Sequence, residues 1–247
     1  MRLCNIKNPN SSGHPTIEPS FTTRSKFESF SPSFLQISLL DISTITMLPG
    51  FVQQLLRPIS ASFCTGVTPI AAISIPEGAQ KATFAAGCFW GVEHMFRREF
   101  MAKGLYDARV GYIGGDLQNP SYRAVCSGQT GHAEALQVVF DPKYVTYSQL
   151  VEFFYKMHDP TTPDQQGPDI GSQYRSAIFF HDSDQEKVAR DITEKVNEKW
   201  WNGKVTTEVL PAREWWDAED YHQKYLNYNP NGYECPSHFV RKFPPLD

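Results

Sequence analysis

The sequence predicts an α+β protein, a ferredoxin-like two-layer sandwich with a mixed sheet, extra helices and a long coil C-terminal tail. Three observations carry this. Short β-type runs recur at 81–86, 106–113, 133–140, 176–180 and 205–210. Segments of helical period lie between them, in the order β-α-β-β-α-β with additions, which is that of a sheet covered by helices. The chain then closes on a turn-forming stretch, Asn229-Pro230-Asn231-Gly232-Tyr233-Glu234-Cys235.

Taken in order, the run Ala82-Thr83-Phe84-Ala85-Ala86 stops at Gly87, and an apolar-periodic segment occupies 92–100. A strand therefore ends at a glycine, and a helix opens at or just after Cys88. Over 146–157, Leu150, Val151, Phe153, Phe154 and Met157 make one apolar face. Over 184–201, Val188, Ile192, Val196 and Trp200 recur every fourth residue, and the charged remainder is a solvated outer face. A short helix is expected over 218–228. The segment 159–175 has no period, and a loop of that length in a compact domain is more often functional than not. The tail is expected to be mobile, so that Cys235 can travel.

Residues 1–79 have a different character. They are rich in Ser, Thr, Pro and Ile, carry five basic and four acidic residues, and show no sustained period. Two readings stand side by side: a disordered extension, or a targeting segment that begins at Met1 or Met47, with Phe51, Leu55, Leu56 and Ile59 on one helical face. The division is thus an extension, 1–79, and a catalytic domain, 80–247, located in the cytoplasm or the mitochondrion.

Composition excludes several function classes. The net charge of −4 gives no electrostatic case for nucleic acid or an anionic membrane surface. No uninterrupted apolar run approaches the ~20 residues that span a bilayer. The cysteines, Cys4, Cys64, Cys88, Cys126 and Cys235, are odd in number and scattered, unlike a secreted disulfide framework. They point to a reducing compartment and one functional pair.

The chemistry concentrates in Gly87-Cys88-Phe89-Trp90-Gly91-Val92-Glu93. A cysteine at a helix start meets unpaired N–H groups and the positive end of the dipole, which favour thiolate. Phe89 and Trp90 offer an apolar surface to a small uncharged group. The competing reading is a buried structural cysteine; a position between glycines at a helix start favours the nucleophile. Gly111 to Gly115 lacks the phosphate-loop pattern. His132 stands at a strand start, where a structural histidine is expected rather than a base for Cys88. Cys235, His222 and His238 lack the four-ligand spacing of structural zinc, so no metal site is expected.

These residues, with those that follow them, carry a resemblance. Gly111-Tyr112-Ile113-Gly114-Gly115, Asn119-Pro120-Ser121-Tyr122, Gly131-His132-Ala133-Glu134-Ala135, His158-Asp159-Pro160, Asp169-Ile170-Gly171-Ser172-Gln173-Tyr174-Arg175-Ser176 and His222-Gln223-Lys224-Tyr225-Leu226 follow in order. The chain resembles methionine sulfoxide reductase A over about 81–240. The resemblance implies thiol-dependent reduction of the S epimer of methionine sulfoxide, free and in proteins, as repair under oxidative stress. It implies Cys88 as nucleophile, Phe89 and Trp90 as the pocket for the substrate methyl, and Glu134 as acid. Tyr122 and Tyr174 would hold the sulfoxide oxygen, with Asp169 as a supporting carboxylate. It further implies a monomer that needs no bound cofactor and takes its electrons from thioredoxin.

The chemistry asks for these residue types independently. A sulfoxide sulfur is a poor electrophile until its oxygen is hydrogen-bonded or protonated, and a carboxylic acid can serve there while a carboxylate cannot. The product, a sulfenic acid on Cys88, is condensed to a disulfide by a second thiol. Cys126 lies in a short structured segment and reads as packing, which leaves Cys235 as the expected resolving thiol. Many relatives carry two tail cysteines and this chain one, so the Cys88–Cys235 disulfide would itself be the thioredoxin substrate. Two other classes stay in view: a thiol peroxidase, which needs no aromatic methyl pocket, and a cysteine hydrolase, which needs a histidine poised on Cys88.

Overall fold

The computed structural model describes residues 76–246. The expectations for the alternative start and the targeting face fall outside the described residues. Among the described residues the first strand, β1 (Gln80–Ala86), lies within a six-stranded sheet. The other strands are β2 (Leu105–Ile113), β3 (Ala133–Phe140), β6 (Ser176–Phe180), β7 (Glu208–Pro211) and β8 (Trp216–Asp217), in the order β7-β6-β1-β3-β2-β8. All neighbours are antiparallel except β6 and β7, so the sheet is mixed.

Alternation along β1 decides which face meets the helices. Ala82, Phe84 and Ala86 point to one side, into the main core. Ala85 points to the other, where Ile113, Ala133, Ala135, Ala177 and Phe179 form a smaller cluster covered by Trp215 and Ala212. The helices α1 (Phe89–Phe100), α3 (Tyr147–Met157) and α4 (Ser183–Lys199) all contribute to the main core. Phe84 stacks on Phe96 of α1 at 5.3 Å and on Phe154 of α3 at 5.5 Å, which ties both helices to the central strand.

Local signals set the helix starts. Thr146 and Gln149 form a capping box on α3: Gln149 N donates to Thr146 Oγ1 at 3.2 Å, and Thr146 N donates to Gln149 Oε1 at 2.8 Å. Asp182 caps α4 by accepting from Gln185 N at 2.8 Å. A fourth short helix, α2 (Tyr122–Cys126), follows the Ser121 cap.

Three expectations are corrected. The helix expected over 218–228 is broken into a 3₁₀ turn at Asp220–His222 and α5 (Tyr225–Tyr228), with Lys224 at φ 54° between them. Tertiary partners override propensity here: Lys224 N donates to the buried Glu93 carboxylate at 2.7 Å, and the Gln223 side chain pairs with both Val110 N and Val110 O. The segment 159–175 is not plain loop; it folds into a two-stranded hairpin of β4 (Gln165–Gln166) and β5 (Asp169–Ile170), then a 3₁₀ turn at Ser172–Tyr174.

The third correction concerns the tail, which is coil but docked rather than free. Phe239 N donates to Met157 O at 3.1 Å, Arg241 N to Lys156 O at 2.9 Å, and Trp200 Nε1 to Pro244 O at 2.9 Å. Phe243 stacks on Trp200 at 4.7 Å. Cys235, expected on a mobile segment, is 1% exposed. Turn-forming residues break helices and strands, but they do not prevent aromatic side chains on either side from finding a surface.

Candidate active site

The strand-to-helix turn after β1 delivers Cys88. Gly87 takes φ 88°, a conformation that costs glycine little, and Cys88 is the N-cap of α1. Packing requires the neighbouring glycines as well. A Cβ on Gly87 would meet the Gln166 side chain, and one on Gly91 would collide with the His238 ring, which is held by its Nε2 to Ala86 O at 2.7 Å. The tail therefore packs against the turn that carries the nucleophile candidate.

Opposite it, β3 supplies Glu134, across from Tyr112 of β2 in the sheet. Glu134 is 1% exposed, and its Oε2 accepts from Phe89 N at 3.1 Å. Burial pushes its carboxyl up to about 8; the Phe89 amide works against this and the nearby Asp169 charge adds to it. Glu134 is thus largely a neutral acid at pH 7.

A cavity of about 70 Å³ is lined by Cys88, Phe89, Trp90, Tyr122, Glu134, Asp169, Tyr174 and Tyr233. That is far below the ~300–1,000 Å³ of drug-sized pockets and suits the tip of a side chain. Tyr122 opens α2, with its N–H bonded to Glu219 Oε1 at 2.9 Å, and Tyr174 ends the 3₁₀ turn after β5. Burial raises both phenols first, and the Glu134 charge next, so both remain protonated donors. Neither hydroxyl has a hydrogen-bond partner among the described residues.

The aromatic wall is rigid and uncharged. Trp90 stacks on Tyr225 at 3.8 Å and donates from Nε1 to His222 Nδ1 at 3.0 Å. Burial draws His222 down to about 4 despite the Glu219 charge nearby, which keeps the ring neutral and able to accept. Phe89 lies 5.9 Å from Tyr112 and 5.2 Å from His222.

Cys88 itself departs from expectation. The helix terminus does help its thiolate, through the Trp90 backbone N–H, but burial and the Glu134 charge outweigh it and hold the thiol well above its ordinary value. The residue is 7% exposed. A rule about local position met a stronger effect of desolvation.

Every residue named for the site from the sequence lies at this cavity except Cys235. That thiol is not among the lining residues and donates to Gln166 O at 3.4 Å. Cys88 and Cys235 are the free cysteines among the described residues; Cys126, expected to pack as a thiol, is disulfide-bonded. Among the described residues, no group of three or more His, Cys, Asp or Glu could hold a metal ion.

Sequence reasoning missed Tyr233, Glu219 and the role of His222. Tyr233 stands two residues before Cys235 in a stretch that reads only as turn. Glu219, which bonds both Tyr122 N and, at 2.8 Å, Tyr112 Oη, carries no local signal. His222 lay inside a recognised motif, and that motif was its signal.

Comparison with known proteins gives a consistent result. A family model described as peptide methionine sulfoxide reductase matches residues 80–243. A probable peptide methionine sulfoxide reductase of Schizosaccharomyces pombe is 51% identical over 164 residues, covering 66% of this chain and 96% of that protein. The peptide methionine sulfoxide reductase of Saccharomyces cerevisiae is 44% identical over 170 residues, covering 65% and 89%. The crystal structure of Mxr1 from Saccharomyces cerevisiae in reduced form matches with TM-score 0.65 and 42% identity, over 68% of this chain and 94% of that one. Methionine sulfoxide reductase A of Corynebacterium diphtheriae matches with TM-score 0.60 and 40% identity, over 65% and 79%.

Proposed function

This chain belongs to the peptide methionine sulfoxide reductase family, and from that premise we propose that Cys88 attacks a methionine sulfoxide seated in the cavity while Glu134 supplies the proton its oxygen needs. The reaction is reduction of the S epimer of methionine sulfoxide to methionine. The observation that carries the residue roles is a neutral, buried Glu134 in one small cavity with a thiol and two phenols whose hydroxyls have no other partner among the described residues.

Tyr122 and Tyr174 donate to the sulfoxide oxygen, and Glu134 transfers a proton to it. Cys88 Sγ takes the oxygen as the substrate S–O bond breaks, and the thiol proton restores Glu134. The substrate is reduced to a thioether and Cys88 is oxidised to a sulfenic acid, with no net proton change. With Glu134 neutral, the charge that opposes the Cys88 thiolate is absent, while the Trp90 N–H still favours it. Phe89 and Trp90 exclude water and receive the methyl group.

Cys235 then displaces the hydroxyl of the sulfenic acid, giving a Cys88–Cys235 disulfide and water, which a thioredoxin dithiol reduces. No bound cofactor takes part. We read the frame as ferredoxin-like, because β6-β1-β3-β2 with α1 and α3 follows the split β-α-β pattern. We take a monomer as the working unit. We place the catalytic domain at 80–247.

The test compares purified protein on each epimer of methionine sulfoxide, on hydrogen peroxide and on an activated ester, with thioredoxin as reductant. Only the S epimer should turn over rapidly. Faster consumption of peroxide would favour the thiol peroxidase, which has no use for the aromatic wall, and ester cleavage would favour a hydrolase.

A further inference from the structure

The tail meets the small hairpin at a single rung. Gln166 and Asp169 are cross-strand partners in the β4–β5 pair. Gln166 O accepts from Cys235 Sγ at 3.4 Å, and Asp169 Oδ1 accepts from Tyr233 Oη at 2.8 Å. Two tail residues, separated only by Glu234, thus clip onto the two residues of one rung. The turn between them is tight against the thiol: a Cβ on Gly167 would stand 3.5 Å from Cys235 Sγ and collide with Ser237 Oγ.

The second oxygen of Asp169 is the one left over. Asp169 is 2% exposed and burial raises its carboxyl; Oδ1 is taken by Tyr233, Oδ2 makes no well-formed hydrogen bond among the described residues, and the Cys235 thiol interacts with the carboxylate. A buried carboxylate oxygen short of a full hydrogen bond is costly, and the fold keeps it here beside a thiol. That thiol is a poor nucleophile as it stands, because burial and the Asp169 charge push Cys235 up to about 12. Attack at neutral pH requires that its proton be taken as the new bond forms.

We propose that Asp169 is the base that takes the Cys235 proton when the sulfenic acid on Cys88 is resolved, and that Tyr233 is the positioning residue that aims the free oxygen. The proposal rests on the sulfenic acid chemistry assigned above. In this step Cys235 Sγ bonds to Cys88 Sγ and the S–O bond of the sulfenic acid breaks. The hydroxyl departs as water with the proton that Asp169 has just received, so the carboxylate is regenerated. Both sulfurs end as disulfide, and no outside oxidant is needed. The titratable groups that act directly on the Cys235 thiol are Asp169 and Tyr233; Cys88 and Glu134 share the cavity that Asp169 lines. His238 is drawn down to about 4 by burial and is bonded to Ala86 O, so it offers no competing charge at neutral pH.

The test isolates disulfide closure. Full-length protein is given one equivalent of methionine sulfoxide, quenched at intervals, trapped with dimedone and read by mass spectrometry for sulfenic acid and disulfide. Wild type is the control for the underlying reading: no methionine release, or no Cys88–Cys235 link, would overturn the function assigned to the site rather than this step. Asp169→Asn should close roughly 10²-fold more slowly, and its closure rate should rise about tenfold per pH unit, because hydroxide must now remove the thiol proton. Tyr233→Phe, which keeps the ring, should close roughly tenfold more slowly. Closure at the wild-type rate in Asp169→Asn, slow closure that keeps the wild-type pH dependence, or faster closure in Tyr233→Phe would overturn the proposal. Should Asp169→Asn fail to fold, the direction of change in Tyr233→Phe decides alone.

Discussion

Phe89 N–H donates to Glu134 Oε2 at 3.1 Å, so one of the free amides at the start of α1 is spent on the acid rather than on the neighbouring thiol. The helix terminus is divided between two groups: Phe89 N–H steadies Glu134, and Trp90 N–H steadies Cys88. Since a charged Glu134 also opposes ionisation of Cys88, the two groups titrate against each other.

Glu134→Gln therefore has two opposed effects. Removing the carboxylate should lower the pH at which Cys88 forms thiolate, read as absorbance near 240 nm during a pH titration. The same substitution should slow single-turnover methionine formation by roughly 10²–10⁴-fold, because an amide can donate a hydrogen bond but cannot transfer its proton. A variant with an unmoved thiolate midpoint would show that Glu134 does not act on Cys88.

Glu134 also predicts a pH dependence of stability. Its folded value, about 8, is raised above the ordinary ~4.3 of a glutamate. A raised acid favours the folded state only while neutral, so stability is unpenalised below ~4.3 and declines as pH rises toward about 8. The penalty should reach a few kcal/mol. Thermal unfolding at pH 5 and pH 8.5 should show wild type losing more stability than Glu134→Gln across this interval; parallel losses would contradict it.

Tyr122→Phe and Tyr174→Phe should each slow the reductive step by roughly 10–100-fold, the value of a hydrogen bond to an oxygen that gains charge, at about 1.5–3 kcal/mol. Stability should change little, since neither hydroxyl bonds another described residue. Stopped-flow measurement of methionine formation checks both. A wild-type rate in either variant removes that tyrosine from the oxygen site.

Gly91→Ala should loosen the tail, because the added methyl meets the His238 ring, which is 6% exposed and held to Ala86 O. Overpacking costs roughly 1–3 kcal/mol, or about 2–12 °C in Tm for a domain of this size. An unchanged Tm would mean that the ring yields freely.

Cys235→Ser should separate the halves of the cycle. One equivalent of methionine is still released, since oxygen transfer to Cys88 needs no second thiol, while thioredoxin-driven turnover stops. Dithiothreitol restores partial cycling by attacking the sulfenic acid directly. Full thioredoxin-dependent activity in this variant would assign resolution to another cysteine.

The parts legible in the sequence were those governed by local period. The runs 81–86, 106–113, 133–140 and 176–180 fall within a residue of β1, β2, β3 and β6. The run 205–210 starts earlier than the strand, since β7 begins at Glu208, where a parallel partner in β6 becomes available. Cys88, Phe89 and Trp90 are legible from their own heptad; the other walls are legible only through the family resemblance, because Tyr122, Glu134, Asp169 and Tyr174 lie on separate elements with no shared local signal. What stayed hidden depends on burial through space. Position alone predicts a thiolate at Cys88 because it does not register desolvation, and the tail reads as free because its anchors, Trp200, Met157 and Ala86, are distant in sequence.

The docked tail has a consequence for synthesis. Chain growth delivers Cys88, Tyr122, Glu134 and Tyr174 well before Tyr233 and Cys235. A ribosome that stops short of the tail therefore releases a molecule with the proposed nucleophile and acid but without Tyr233, a wall of the cavity, and Cys235, the proposed partner thiol. Such a molecule could carry out a single reduction and would then hold an unresolved sulfenic acid. Completion of the final segment is what separates a reagent used once from an enzyme.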